Sequence, residues 1–431
     1  MGAGAGQTGF VRLQIANPSL HPEIAAFPYT QSLADWDLAD IHGVLGLHRH
    51  VVRLIETETV SYVVKELPDD LARREYRLLR ELAEERLPTA EVVAVLTEKP
   101  DGSDGLLITR HLDYSLPYRT LLSGRGLMIP YLGERVLDAM VGLLVRLHLA
   151  GFWWGDCSLS NTLFRRDAGA LSAYAIDLET AERHPQLSDG QRRLDIEIAA
   201  ENVAGGLLDL QAGGRLQADI DPWEVSAAIE DRYAQLWAEV TDIEEFDSTE
   251  LWIVERRLER LHDLGFDVGE MELVSTDDAV QRLRLQPRVV EHGYHSERLR
   301  SLTGLDTEEN QARRLLNDIC AFGAQIQEHG GRALQENIVA VRWLDQRFEP
   351  IIDAVPADLF SKLEPAELYH QLLEHRWFLS QACEADVSLE KALESYISDV
   401  LISAPDELLQ VGEVTMELPV IPSGDQIDWG G

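Results

Sequence analysis

Trp154-Gly155-Asp156-Cys157-Ser158-Leu159-Ser160-Asn161 is followed, sixteen residues beyond Asn161, by Asp177 within Ala175-Ile176-Asp177-Leu178-Glu179. This stretch decides the fold. It sets an Asp, an Asn and a second Asp at the spacing that phosphoryl transfer needs. A transferred phosphoryl group must be neutralised by a hard cation held through oxygen donors on rigid elements, while a separate carboxylate takes the acceptor's hydroxyl proton. Asp156 is the candidate base. Asn161 and Asp177 are the candidate ligands of Mg²⁺, and apolar Ala175 and Ile176 before Asp177 read as the short strand that fixes its height above a core.

Upstream, Val51-Val52-Arg53-Leu54-Ile55 and Ser61-Tyr62-Val63-Val64-Lys65 read as a hairpin rich in β-branched residues, with Glu56-Thr57-Glu58-Thr59 between the strands. Leu71 to Arg86 then carries Leu71, Leu78, Leu79 and Leu82 at helical spacing, with Glu75 on its first turns. A Lys on a strand and a Glu on the next helix make the ion pair that aims an ammonium at the α- and β-phosphates of ATP. Of 38 basic residues only four are lysine (Lys65, Lys99, Lys362 and Lys391), so a Lys in a strand interior is unlike the usual basic residue here. An ammonium and a guanidinium are not interchangeable at a phosphate site.

Between the start and this hairpin, Gly43-Val44-Leu45-Gly46-Leu47-His48-Arg49-His50 is the candidate phosphate-covering turn. Gly43 and Gly46 would let backbone approach the phosphates, and Arg49 would supply charge where a third glycine is missing. An ordinary turn with a solvated basic tip is the alternative. Gly105 to Arg110 reads as the strand that enters a hinge, which makes Thr109 and His111 candidates for contact with the adenine ring.

Lys65, Glu75, Asp156, Asn161 and Asp177 occur in this order. Leu144 to Asp156, ending His148-Leu149-Ala150-Gly151-Phe152-Trp153-Trp154-Gly155-Asp156, resembles the helix-to-catalytic-loop passage of aminoglycoside-phosphotransferase-like and lipopolysaccharide-kinase-like proteins. The resemblance covers about residues 35 to 215. It implies a two-lobed protein-kinase-like α+β fold with ATP and Mg²⁺ as cofactors. Family members usually place His two residues before the base, where it ties the loop to the metal-binding Asp; this chain has Trp154, which either packs there or marks a degraded site. Glu179, two residues after Asp177, is either a further metal ligand or an N-cap neighbour of the next segment. In Leu194 to Leu208, a helix rich in small residues, Asp195 either braces the catalytic loop or caps the helix.

From Trp223 onward the periodicity is almost wholly helical: Trp223 to Val240, Glu250 to Leu264, Glu308 to Glu328, Leu334 to Ala354, Pro365 to Cys383 and Leu389 to Ile402. Ala279 to Val290 alternates as a strand does. His370 and His375 are five apart and so fall on different helix faces, which argues against a paired metal site. Trp343, Phe348, Tyr369, Trp377 and Phe378 read as core anchors. Arg282, Arg284, Arg288, Arg298 and Arg300 suit a solvated, salt-bridged face better than a phosphate cleft. Phe348-Glu349-Pro350-Ile351-Ile352 and Tyr369 to Trp377 resemble a bacterial family known only as a domain of unknown function, joined in its members to a lipopolysaccharide-kinase-like half.

The expected division is an N-terminal extension (1–34), a small lobe (35–110), a large lobe (111–221), a mainly helical C-terminal domain (222–410) and a flexible tail (411–431). A net charge of −37 disfavours nucleic acid and anionic membranes as partners, since both require cationic patches. Cys157, Cys320 and Cys383 are too dispersed for a disulfide or zinc framework, and Cys157 reads as a small packed residue. The absence of an apolar span or secretory pattern makes a cytoplasmic location the expectation. The sequence favours a phosphotransferase acting on a hydroxyl of a small-molecule or sugar acceptor. The competing readings are a nucleotide-binding pseudokinase that works on a protein partner through its helical half, and transfer of a nucleotidyl group.

Overall fold

The structure, a computed structural model, describes residues 11–36, 41–44, 50–57, 60–122, 132–216, 220–241, 244–247, 252, 256, 261, 266, 268–275, 281–289, 293–328 and 334–408. The expected flexible tail and most of the expected helix over 250–264 lie outside them. The chain divides into two compact units, one of residues 1–76, 91–111 and 409–431 and one of residues 77–90 and 112–408. Residues 77–90 and 112–408 thus share one unit.

The first unit is built on one antiparallel sheet. Its strands are β1 (Arg12–Ile15), β2 (Ile41–Val44), β3 (Val52–Glu56), β4 (Ser61–Leu67), β5 (Val92–Thr97) and β6 (Gly105–Arg110), in the order β1-β5-β6-β4-β3-β2. Helix α1 (Asp69–Glu84) follows β4. Central strands are apolar on both faces, as β5 shows with every residue buried, because the sheet must cover itself on two sides. Residues read as an N-terminal extension are integral to this unit. Gln14 pairs with Val95, and Ile24, Leu33 and Trp36 are buried in one core with Ile55, Tyr62 and Val64.

The second unit continues with β7 (Leu116–Pro117), α2 (Tyr118–Leu122), α3 (Leu132–Leu149), β8 (Phe152–Trp153), β9 (Thr162–Asp167), β10 (Ala170–Ala175), β11 (Glu182–Arg183), α4 (Asp189–Ala212) and α5 (Pro222–Thr241). Helix α3 is buried nearly all round, as its sequence of Leu, Val and Ala requires. β9 and β10 form a tight hairpin turned by Ala168 and Gly169, both at positive φ. A three-stranded sheet follows, with β12 (Glu244–Asp247), β13 (Val268–Ser275) and β14 (Gln281–Val289) in the order β12-β14-β13; Arg282, Arg284 and Arg288 lie on β14.

Among the described residues, six α-helices follow: α6 (Tyr294–Thr303), α7 (Glu309–Glu328), α8 (Glu336–Trp343), α9 (Glu349–Asp353), α10 (Pro365–Cys383) and α11 (Leu389–Asp399). Their core holds Trp343, Phe348 and Tyr369, with rings 5.2 to 5.8 Å apart. Trp377 and Phe378 are not core anchors. They are 56% and 61% exposed, because α10 buries only its first turns around Tyr369 and Leu372. His370 lies 3.3 Å from Glu374 and His375 2.9 Å from Ser395, so the two histidines serve different neighbours. Arg298 pairs with Glu336 at 2.5 Å, in keeping with a salt-bridged face. Among the described residues, no helix is long and apolar enough to cross a membrane.

Candidate functional site

In the first unit, Lys65 near the end of β4 reaches Glu75 on α1, Nζ to Oε2 3.2 Å. Glu75 is 1% exposed, and a carboxylate so buried is tolerated only with such a partner. Rarity of lysine did not by itself mark the site. Lys99 is more deeply buried than Lys65 and pairs with Glu66, the residue after Lys65, at 3.0 Å. Gly43 falls at an irregularity in the β2–β3 register, between His42 and Val44. Gly46 and Arg49 lie outside the described residues. Thr109 is paired on both sides, with Val63 and Val92, and the His111 N–H donates to Ser61 O at 2.8 Å. The backbone at these two candidate adenine contacts is therefore engaged within the sheet.

The second unit brings the polar motif together. β8 feeds the loop, and Gly151 at φ +81° is required there, since an added Cβ would meet His184 O at 2.2 Å. The loop is fixed from below by Asp195, which is fully buried and accepts the N–H groups of Trp154 and Gly155, each at 2.7 Å. His148 Nε2 lies 3.0 Å from the same carboxylate, and its Nδ1 lies 2.7 Å from the hydroxyl of Tyr233 on α5. Asp195 does not cap α4. Ser188 does, through a reciprocal capping box with Gln191.

Trp154 ties the loop to the segment that carries Asp177. Its ring is 1% exposed, and its Nε1–H donates to the backbone oxygen of Asp177 at 2.8 Å. Thr180 Oγ1 closes the same link from the other side by donating to Trp154 O at 2.8 Å. A buried indole needs a partner for its N–H, so the packing and the tether come as one.

Asp156 is held by two amides. Asn161 Nδ2 donates to Oδ2 at 2.9 Å and Asn202 Nδ2 to Oδ1 at 3.0 Å, while Asn202 also donates to Cys157 O at 3.1 Å. Burial raises the Asp156 carboxyl above the usual range, the two amides oppose that rise, and the charges of Asp177 and Glu179 add to it. Asn202 was not singled out in the sequence. The available signal was its spacing from Asp195, seven residues on and thus on the same face of α4. Cys157 is buried, and burial pushes its thiol well up, so it stays protonated and inert.

Asn161 and Asp177 stand at the two ends of the β9–β10 hairpin. Thr162 pairs with Ala175, and the Ile176 N–H donates to Asn161 O at 3.1 Å, which carries the pairing to Asn161 and to the residue before Asp177. With its Nδ2 committed to Asp156, Asn161 keeps Oδ1 as its remaining acceptor. Asp177 Oδ1 accepts the Glu179 N–H at 3.1 Å. Among the described residues, no three His, Cys, Asp or Glu side chains gather closely enough to hold a metal by themselves. One carboxylate and one amide oxygen fit Mg²⁺, which keeps several waters and takes further oxygens from phosphate.

Residues 42–197 match the model of the lipopolysaccharide kinase (Kdo/WaaP) family, and residues 235–401 match that of a domain of unknown function, DUF4032. A comparison with curated proteins finds no match. Among solved structures, WaaP in complex with acyl carrier protein is similar at 18% identity, over 52% of this chain and 99% of that chain, with a TM-score of 0.33. The chain thus joins a kinase-like α+β region, similar to the lipopolysaccharide kinase (Kdo/WaaP) family, to a mainly helical region similar to DUF4032.

Proposed function

We propose that the protein is an ATP- and Mg²⁺-dependent phosphotransferase that acts on a hydroxyl of a small-molecule or sugar acceptor. The observation that carries this reading is the Asp156–Asn161 contact, in which one amide orients the base through nitrogen and leaves its oxygen for a cation. Asp156 would accept the acceptor's proton, with Asn202 holding the other carboxylate oxygen so that one rotamer is kept. Asn161, Asp177 and, as a third oxygen donor, Glu179 would hold Mg²⁺. The ion would neutralise the phosphates when bound. Lys65, oriented by Glu75, would pair with the α- and β-phosphates. Gly43, Gly46 and Arg49 remain our candidates for the phosphate turn, and Thr109 and His111 for the nucleotide-contacting segment. The Trp154 tether favours an intact site over a degraded one, because the departure from histidine keeps the bond to Asp177.

The test is thermal stabilisation by ATP with and without Mg²⁺, on wild type and on Asp177→Ala. Ligand at a hundredfold excess over Kd stabilises by roughly 2.7 kcal/mol, so even modest binding registers. A Mg²⁺-dependent shift that Asp177→Ala abolishes is expected; no shift with any nucleotide would sink the reading.

A further inference from the structure

The β9–β10 hairpin is gripped along its length by the C-terminal helices. At its tip, Ala168 sits at φ +51°, a costly conformation for a residue with a Cβ, and its N–H donates to Glu367 Oε2 on α10 at 3.0 Å. The neighbouring Asp167 is buried and accepts the Asn310 and Gln311 N–H groups at 3.1 and 2.8 Å, so a side chain of the hairpin satisfies the first turn of α7. Gln311 answers by donating to Arg166 O at 3.0 Å. Along the strands, Arg165 pairs with Glu308 and Glu364, each at 2.8 Å, and Arg166 with Glu407 at 2.6 Å.

This grip is an expensive way to join two parts of a chain. Burying carboxylates against guanidinium groups often yields less stability than packing apolar side chains of the same volume. What it supplies is register, since each hydrogen bond is directional and the six pairs of the hairpin ladder tie its two strands together. The last pair of the ladder, Thr162 and Ala175, lies one residue from Asn161 and two from Asp177. We propose that the DUF4032-like helices are a positioning clamp: by holding the β9–β10 hairpin they set the separation of Asn161 and Asp177, so that the grip and metal–nucleotide binding are thermodynamically coupled. The proposal rests on the phosphotransferase reading above and assigns the helical half a part in the same site. Coupling of this kind is reciprocal: whatever the clamp adds to metal–nucleotide affinity, metal and nucleotide add to the clamp.

The experiment uses the full chain with Mn²⁺ and ATP as probes. Hydrogen exchange is followed by mass spectrometry with and without both, on wild type, Arg166→Met and the isosteric Glu407→Gln; Mn²⁺ affinity in the presence of ATP is measured by EPR. In the wild type, exchange should slow over residues 156–161 and, some 150 residues away in sequence, over the start of α7. Arg166→Met should weaken Mn²⁺ binding by about fivefold or more while far-ultraviolet circular dichroism is unchanged. Should that variant fail to fold, Glu407→Gln, which keeps shape and loses only charge, carries the comparison. Slowed exchange at 156–161 with none at α7, and affinities within twofold in both variants, would overturn the clamp and leave the phosphotransferase reading standing. No slowing anywhere would remove that reading and the clamp with it.

Discussion

Asp156, the proposed base, shows how much of a carboxylate's behaviour is decided by the side chains around it. Burial raises its carboxyl, and a base works only when ionised, so turnover should fall as pH drops through a limb above the ordinary Asp range. Removing a hydrogen bond to the charged form raises such a group further. Asn202→Leu should therefore move the acidic limb of the pH–rate profile to higher pH, whereas an unmoved limb would leave Asn202 as packing alone; Asp156→Asn should lower turnover by about 10²–10⁴. Trp154→Phe keeps an aromatic side chain but deletes the N–H and part of the buried ring volume, leaving the Asp177 carbonyl without that donor. It should cost about 1–3 kcal/mol in chemical denaturation. Cys320 and Cys383 are exposed and Cys157 buried, so native alkylation should label the first two and spare the third, as intact-mass measurement would show. The primary polar residues were legible because they occur in a fixed order at short spacing. Asn202 and the work of the Trp154 ring were not, since both depend on chain that returns from 46 and 23 residues away.

At the scale of elements, helices were read more surely than their faces. The range Pro365 to Cys383 coincides with α10, since Pro at its first position and continuous helix formers mark it, yet Trp377 and Phe378 point away from the core. Periodicity reports that one face is apolar; it does not report where the neighbouring helices stop. The N-terminal strand β1 escaped notice for a related reason: four residues with alternating burial are too short to stand out, and β5 defines them by pairing. Helix α4 owes its start to Ser188 and Gln191. Ser188→Ala should destabilise by about 0.5–2 kcal/mol, seen as a lower thermal midpoint, and it should leave Asp195 and the loop it braces in place.

The whole molecule carries a charge of −37, and part of that burden is internal. Burial pushes the Glu364 and Glu407 carboxyls up to about 7 although Arg165 and Arg166 pull them down. A carboxyl raised in the folded state contributes stability that is present below its unfolded value, near 4.5, and is lost as pH rises through about 7. Thermal stability should therefore decline between those values, Glu407→Gln should flatten the decline, and added salt should soften the share that comes from surface repulsion. A wild-type midpoint that rose over this window would contradict the assignment. None of this network could be read from sequence, because Arg165 and Arg166 meet Glu308, Glu364 and Glu407 across 143 to 241 residues.

That separation also has a consequence in time. A two-residue-turn hairpin closes within microseconds, whereas synthesis adds about 5–20 residues per second. Glu407 is made about 240 residues after Asp167, so the ribosome needs on the order of 10–50 s to deliver the last partner of a hairpin already formed. During that interval Arg165, Arg166 and Asp167 stand in water, where charged side chains are at home. The polar character of the surface that the mature chain buries suits it to that wait in water.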